Sequence, residues 1–182
     1  MFKKISVNNV EFILREFDIE KDSVEELTDL LHKAYKRLKD MGLNFVATYQ
    51  DVESTRSHMK NGICFILTES DKIIGTIFYY LKKIKGAPDI YHKDNIVLFG
   101  KFAVDPDYQN QGLGSLLMDF IEDYARSNGK RKIILDTSEE AQHLIDYYSK
   151  RGYGYIQHWK WNMVNYRSVV MGKELKKLKK KN

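Results

Sequence analysis

The sequence predicts one α/β (α+β) domain over residues 1–175, in which a mixed, mostly antiparallel sheet of about seven strands carries helices on both faces. Three observations support this. The 182 residues suffice for one core and contain no linker or repeat. Apolar residues make up 43% and charged residues 30%, a globular balance. A predicted hairpin leads into alternating strands and helices, an order that produces a mixed sheet covered on two sides.

The first elements are a strand and a long helix. Residues 11–17 are predicted to be a strand. Ser23 and Glu26 fit a capping box, and the apolar residues that follow recur at helical spacing until Gly42. The next segment, residues 43–50, is unusually apolar and aromatic for a connection.

A short helix and a hairpin come next. Asp51 can cap a helix that extends to about Lys60 and is closed by Gly62. Residues 63–68 and 72–81 are predicted strands joined by a short polar turn, so we expect them to pair antiparallel.

The second half of the chain alternates strands and helices. A buried strand ends at the turn formed by residues 105–107, and a helix extends from about Gly112 to Asn128. A second capping box, residues 137–140, is predicted to open another helix that ends at Gly152. The four predicted strands of this half are residues 96–104, 132–136, 153–161 and 167–175.

The charge of the chain is concentrated at its end. The net charge is +5, and residues 173–182 alone contain six lysines and one glutamate, so the remainder is neutral. We interpret residues 176–182 as a basic, disordered, solvated tail. The alternative is nucleic-acid binding through this tail, which we do not favour because nucleic-acid modules spread basic residues over a folded face.

Other features restrict the compartment and the chemistry. No apolar run approaches the roughly 18 residues of a membrane span, and the N-terminus lacks the apolar region of a signal peptide. Cys64 is the single cysteine, so no internal disulfide can form. The five histidines show no metal-ligand spacing. We expect a cytoplasmic protein, a monomer or homodimer, without a metal or a membrane partner.

The turn at residues 104–115 has the properties of an anion site. A buried strand ends, and a helix starts around Gly112 and Gly114, so free amides at the positive end of the helix dipole would face an anion such as pyrophosphate. The two glycines let a bulky ligand approach the backbone. No lysine follows Gly114, which excludes a Walker loop, and Leu117 replaces the third glycine of a dinucleotide fingerprint.

Three segments resemble the GNAT superfamily of N-acetyltransferases. Residues 102–114 are similar to the family's central motif, [RQ]-x-x-G-x-[GA], with Gln109, Gly112 and Gly114 at the motif positions. Residues 148–153 are similar to its Y-x-x-x-G-[FY] motif, and residues 168–175 to its final strand.

The resemblance implies a splayed sheet and an acetyl-CoA site. The pantetheine arm would enter the gap between the strands, and the acetyl group would pass directly to a primary amine of a small molecule or peptide. The amide of Val104 would stabilise the oxyanion formed during attack. The residues expected to bind the cofactor are Phe102, Ala103, Val104, Gln109, Asn110, Gln111, Gly112, Leu113, Gly114 and Ser115.

The resemblance assigns one catalytic side chain. Tyr148 matches the family tyrosine near the cofactor sulfur, so a protonated phenol would serve as general acid. The alternative is that Tyr148 belongs only to the core, because it continues a helical apolar stripe. Ala141 departs from the asparagine that many relatives carry near the pantetheine.

The general base and the acceptor stay open. The family often places a glutamate on the strand at residues 96–104, but no carboxylate occurs there. Candidates by type, besides a water chain, are Glu139, Glu140, His143 and His158. The missing carboxylate leaves a second hypothesis, a non-catalytic coenzyme A-binding or regulatory module. The aromatic residues expected at the acceptor site are Phe45, Tyr49, Trp159 and Trp161.

Overall fold

The sheet has eight strands in the order β1-β2-β3-β4-β5-β6-β8-β7, in a computed structural model that describes residues 2–82 and 84–176. Every neighbouring pair is antiparallel except β5 and β6, which are parallel. The strands are β1 (Phe2–Val7), β2 (Val10–Glu16), β3 (Gly62–Glu69), β4 (Lys72–Tyr80), β5 (Ile96–Val104), β6 (Lys132–Ser138), β7 (Gly154–Trp159) and β8 (Ser168–Glu174). The helices are α1 (Val24–Asp40), α2 (Val52–Met59), α3 (Leu113–Ser127) and α4 (Gln142–Lys150). The predicted fold class is confirmed.

Helices cover both faces because the central strands are apolar on both sides. On β3, Phe65 and Leu67 pack in the cluster that contains α3 and α4, whereas Cys64 and Ile66 pack in the cluster that contains α1. Successive side chains of a strand point to opposite faces, so this one strand contributes to two cores.

The predicted caps of the first two helices are confirmed. The Ser23 hydroxyl accepts from the amide of Glu26 at 3.1 Å, and the Asp51 carboxylate accepts from the amide of Ser54 at 2.7 Å. The Glu26 carboxylate, however, accepts from the amide of Ile73 at the start of β4, and thereby ties α1 to the sheet.

Two predictions about elements are wrong, and one strand, β1, was not predicted. Gly62 opens β3 rather than closing α2. Residues 137–140 do not cap a helix, because antiparallel pairing with β8 extends β6 as far as Ser138. The Ser138 hydroxyl accepts from the amide of Glu140 at 3.1 Å within a turn, and α4 begins only at Gln142.

The parallel pair β5–β6 separates after three residues. Pairing covers Ile96–Leu98 on β5 and Lys132–Ile134 on β6, yet both strands continue beyond it. From there β5 stays paired with β4, and β6 stays paired with β8. The sheet therefore opens into a gap with one strand on each side, as the predicted splay requires.

A bulge lies on β5 where this gap begins. Gly100 pairs with Phe78, and Ala103 pairs with Thr76, so two residues of β5 lie opposite one residue of β4. Lys101 is in the bulge and has a φ of 48°. Such an insertion redirects the side chains that follow it.

Two sequence-based expectations concern the basic tail and the absence of membrane-spanning segments. The basic tail lies outside the described residues apart from Lys176, and its role stays a prediction. Within residues 2–82 and 84–176, no helix has the length and apolar character needed to cross a membrane.

Gly62 provides a test of the β3–β4 packing. A Cβ at this position would lie 2.1 Å from the backbone oxygen of Tyr79, which cannot move without breaking the strand pair. We expect Gly62→Ala to lower the free energy of unfolding by about 1–3 kcal/mol, measured by urea denaturation. The matched control is Gly154→Ala, whose Cβ meets nothing within 4 Å. Equal stability of the two variants would contradict the packing.

Candidate active site

A cleft of about 770 Å³ occupies the gap between β5 and β6. Ligand sites of proteins commonly enclose a few hundred to 1,000 Å³, roughly the size that a cofactor arm and a small acceptor need. The cleft is lined from α1, from the end of β5 and the turn that follows, from β6 and from α4. It therefore connects the two faces of the sheet at the point where the strands separate.

The turn between β5 and α3 presents free backbone amides to this cleft. Among the described residues, no backbone carbonyl outside the helix accepts from the amides of residues 110–115, and the first helical bond is donated by Leu116 to Gly112. Gly112 has a φ of 85°, a conformation that turns the chain sharply into α3. The result is a cluster of donors at the positive end of a 15-residue helix.

Asp105 fixes the position of that turn. Its carboxylate accepts from the ammonium of Lys33 on α1 at 2.7 Å and from the amide of Asp107 at 3.0 Å, and Lys72 lies 3.6 Å away. Burial opposes ionisation, but these partners outweigh it and hold the pKa of Asp105 below its ordinary value. A helix on one face is thereby tied to the turn that opens α3 on the other.

The last residues of β5 direct backbone groups into the gap. The amide of Asp105 donates to Ile74 on β4 at 2.8 Å, so the amide and carbonyl of Val104 point away from β4, towards the gap. The Val104 carbonyl accepts from the Gln109 side chain at 3.0 Å, and the Phe102 carbonyl accepts from the Tyr35 hydroxyl at 3.3 Å.

Tyr148 reaches the cleft from α4. Its ring packs against Phe99, Tyr147 and Tyr153, and only 7% of the residue is exposed. Burial, followed by the hydroxyls of Tyr35 and Tyr147 and the charge of Asp136, raises the pKa of Tyr148 well above its ordinary value. The phenol therefore stays protonated at neutral pH. Tyr148 belongs to the core and also lines the cleft.

Asp136 lies across the gap, on β6. Its two carboxylate oxygens accept from the Tyr91 hydroxyl at 2.9 Å and from the Trp161 indole at 3.0 Å. Burial raises the pKa of Asp136, although these two hydrogen bonds and the nearby Ser168 hydroxyl lower it in part. None of the described residues contributes a cation that pairs with this carboxylate.

Lys101 is the cationic counterpart on β5. Its ammonium donates to the side-chain oxygen of Gln50, at the end of the segment that connects α1 to α2. Burial lowers the pKa of Lys101 to about 8, and no carboxylate in the described part of the chain offsets that effect. The residue keeps part of its surface exposed, although it does not line the cleft itself.

Residues 24–153 match the family model described as Acetyltransferase (GNAT) family. The chain belongs to this family. It is an acetyl-CoA-dependent N-acetyltransferase, and the alternative of a non-catalytic module is not favoured.

Curated relatives and solved structures agree with the family. The chain is 28% identical over 142 residues to the S-(2-succino)cysteine N-acetyltransferase of Bacillus subtilis, covering 74% of this chain and 80% of the relative. It is 24% identical over 135 residues to the S-alkylcysteine N-acetyltransferase of the same organism, covering 72% and 74%.

Solved structures show the same fold at low sequence identity. The ribosomal-protein-S18-alanine N-acetyltransferase of Escherichia coli has a TM-score of 0.68 at 15% identity, over 94% of this chain and 98% of that one. A GNAT acetyltransferase of Elizabethkingia anophelis with acetyl-CoA bound has a TM-score of 0.63 at 16% identity, over 90% and 98%.

The GNAT cleft gathers most of the residues predicted to bind the cofactor. Leu113 is buried in the core, so only its backbone faces the turn, and Gln111 is exposed beside the cleft. The predicted residues that line the cleft are Phe102, Ala103, Val104, Gln109, Asn110, Gly112, Gly114, Ser115 and Tyr148.

Three of the four predicted general-base candidates do not line the cleft. Glu139 pairs with Arg167 at 2.6 Å, Glu140 is exposed, and His158 contacts the Tyr155 hydroxyl at 3.0 Å. Of the four, His143 alone lines the cleft; burial and then the charge of Arg37 lower its pKa.

Sequence reasoning missed Asp136 and Lys101. The sequence pattern places Asp136 at the end of a buried strand, because the residues that follow it fit a helix cap. Lys101 lies inside an apolar strand, and a bulge that places its side chain cannot be identified from the pattern. A charged residue within each of two apolar strands was the available signal.

Gly112 tests the amide cluster. An alanine at φ 85° costs roughly 1–2 kcal/mol, and relief of that strain would turn the amides away from the ligand. We expect Gly112→Ala to weaken coenzyme A binding by about tenfold in calorimetry. Gly129, with φ 74° just after α3, is the matched control, since Gly129→Ala introduces similar strain away from the cleft. Equal coenzyme A affinity in both variants would contradict this site.

Proposed function

We propose that the protein transfers the acetyl group of acetyl-CoA to the α-amine of a cysteine that carries a substituent on sulfur. Both curated relatives are named for acceptors of this class, with an acidic substituent in one case and an alkyl substituent in the other. The observation in this chain that carries the proposal is a pair of opposite charges on the two strands that border the gap: Asp136 lines the cleft from β6, and Lys101 on β5 lies beside it and contacts Gln50. Neither has a counterion among the described residues.

The cofactor side of the site follows from the backbone. The amides of residues 110–115 hold the pyrophosphate, and the pantetheine arm extends along the end of β5 into the gap. The amide of Val104 faces the thioester oxygen and stabilises the oxyanion. Tyr148, protonated at neutral pH, donates its proton to the sulfur as the bond to the acetyl carbon breaks. The backbone orientation at Val104 and the burial of Tyr148 support these roles.

The acceptor side is formed by aromatic residues near β6 and α1. Phe45 packs between Tyr35 and Tyr166, with ring centroids 5.8 and 4.6 Å away. Trp161 lies 6.1 Å from the ring of Tyr91, and both hold Asp136. These surfaces suit the apolar part of an S-substituted cysteine.

Two other predicted aromatics have outer positions. Tyr49 is 53% exposed and donates to the backbone of Met163 at 3.0 Å. Trp159 packs against Trp161 with ring centroids 6.4 Å apart. They support the loops around the acceptor, and the small amine would enter between α1 and the segment that follows β7.

Lys101 supplies recognition of a negatively charged acceptor. A buried ammonium without a counterion destabilises the fold, and the lowered pKa reports that cost. An anionic group of the acceptor would restore the favourable pairing. A carboxylate on the sulfur substituent is such a group, and an alkyl substituent lacks it.

Release of coenzyme A thiol from acetyl-CoA tests this proposal with two acceptors, S-(2-succino)cysteine and an S-alkylcysteine. We expect Lys101→Met to lower kcat/KM for the acidic acceptor by about 10–100-fold, the loss of a charged hydrogen bond, and to leave the alkyl acceptor nearly unaffected. Because the pKa of Lys101 is about 8, the wild-type preference for the acidic acceptor should weaken as the pH rises through that value.

The exposed Lys150 on α4 provides the control variant, Lys150→Met, which should act on both acceptors like the wild type. No thiol release with either acceptor would contradict the proposed substrate class. Equal losses on both acceptors in Lys101→Met would contradict the assignment of Lys101.

Tyr148→Phe tests the general acid. The ring stays in place, so coenzyme A affinity should be retained, while turnover should fall by roughly 100-fold or more. Single-turnover thiol release together with calorimetry separates the two effects. Turnover equal to that of the wild type would assign Tyr148 to the core alone.

A further inference from the structure

We propose that Asp136 is the general base, which removes a proton from the acceptor's ammonium before attack. The inference rests on the proposed function for the identity of the amine and on the structure for the position of the base. Asp136 lies two residues beyond the last pairing of β6 with β5 and lines the same cleft as Tyr148. A base and an acid thus reach the gap from different elements.

The carboxylate is held in one orientation by its neighbours. Tyr91 and Trp161 each donate to a different oxygen, and the Ser168 hydroxyl lies close to the carboxylate. A carboxylate offers about four lone-pair sites, so at least one remains for an incoming N–H. These donors come from two segments far apart in the sequence, the connection between β4 and β5 and the connection between β7 and β8. Such an arrangement positions a base rigidly, as proton transfer requires.

The groups around Asp136 leave one charge unbalanced. The charge of Asp136 acts on tyrosine hydroxyls of α1, β4, α4, the connection between β4 and β5 and the connection between β7 and β8. Each of these hydroxyls is neutral at neutral pH. They belong to Tyr35, Tyr80, Tyr91, Tyr148 and Tyr166. No described lysine, arginine or histidine pairs with the carboxylate. A buried carboxylate without a cation is costly, and the ammonium of the acceptor is the cation that would complete the site.

Burial also suits the carboxylate to proton transfer. It raises the pKa of Asp136 towards the working pH, which makes this carboxylate a stronger base than an exposed one. Glu139 differs in this respect, because the hydrogen bond from the Arg167 guanidinium lowers its pKa and makes it a weaker base.

The proton and electron balance is complete with these groups. Asp136 removes one proton from the ammonium, and the neutral amine attacks the thioester carbon, which places negative charge on the oxygen beside the Val104 amide. The carbon–sulfur bond then breaks, the sulfur takes the proton of Tyr148, and the second nitrogen proton restores Tyr148. Asp136 releases its proton to solvent. Each turnover yields the acetylated amine, coenzyme A thiol and one proton.

The test is the pH profile of kcat/KM for Asp136→Asn, with any amine that the wild type acetylates. We expect a fall of about 100-fold at pH 7. The rise of kcat/KM with pH, the ascending limb of the profile, should then follow the deprotonation of the amine itself, near pH 8 for an α-amine. An unchanged rate with an unchanged limb would overturn the proposal. Absence of thiol release by the wild type with S-substituted cysteines would instead refute the proposed function.

The thermal stability of Asp136→Asn distinguishes a catalytic role of Asp136 from a structural one. Because the folded-state pKa of Asp136 is raised, folding is penalised as the pH rises from the unfolded-state value through the folded-state value, and the penalty persists at pH 7. Asp136→Asn removes that penalty and can keep both contacts, with its oxygen towards Trp161 and its amide towards Tyr91. The Tm at pH 7 should therefore be equal to that of the wild type or higher.

Tyr91→Phe keeps the proposal testable if Asp136→Asn fails to fold. Loss of this hydrogen bond should raise the pKa of Asp136 and shift the ascending limb to higher pH in an enzyme that still binds coenzyme A. A limb that stays in place would overturn the proposal. His143→Gln tests the rival base, since a shifted limb in that variant alone would assign the role to His143. Glu139→Gln should behave like the wild type.

Discussion

The separation of β5 from β6 after three paired residues is the constraint on which the rest of the site depends. A parallel pair that continued to the ends of both strands would close the gap and leave no route between the two faces of the sheet. Once the strands part, the backbone of Val104 loses its partner on that side, and Tyr148 and Asp136 can face the same space. The next strands on each side keep the sheet together, because β4 stays paired with β5 and β8 stays paired with β6.

Two charges without an ionic partner lie on the strands that border the gap. Asp136 and Lys101 belong to apolar strands, have no ionic partner among the described residues, and would be replaced by apolar residues in a sequence optimised for stability alone. Asp105 is the contrasting case. Only 3% of Asp105 is exposed, but its pairing with Lys33 outweighs the effect of burial, lowers the pKa of its carboxyl and strengthens the turn. Buried charges that find protein partners stabilise this fold, and those that lack them mark the side where the substrate would bind.

Local sequence patterns predicted the parts of the molecule that local forces determine. The caps at Ser23 and Asp51 and the glycine turn before α3 each depend on a few neighbouring residues, and all three occur as predicted. The likeness of residues 102–114 and 148–153 to family motifs identified the cofactor. The role of Asp136 depends instead on where two strands separate and on which distant side chains surround it. The position of the Lys101 side chain depends on a bulge, and the extension of β6 to Ser138 depends on pairing with β8. Neither feature could be derived from the spacing of residues in the sequence.

We propose that the gap between β5 and β6 brings the thioester and the amine together. A crystal structure of the protein with coenzyme A and an S-substituted cysteine would show whether both ligands meet there. We expect the pyrophosphate on the amides of residues 110–115, the sulfur beside the Tyr148 hydroxyl, and the acceptor nitrogen within hydrogen-bond distance of Asp136. A coenzyme arm outside the gap, or an acceptor nitrogen remote from the sulfur and from Asp136, would contradict it.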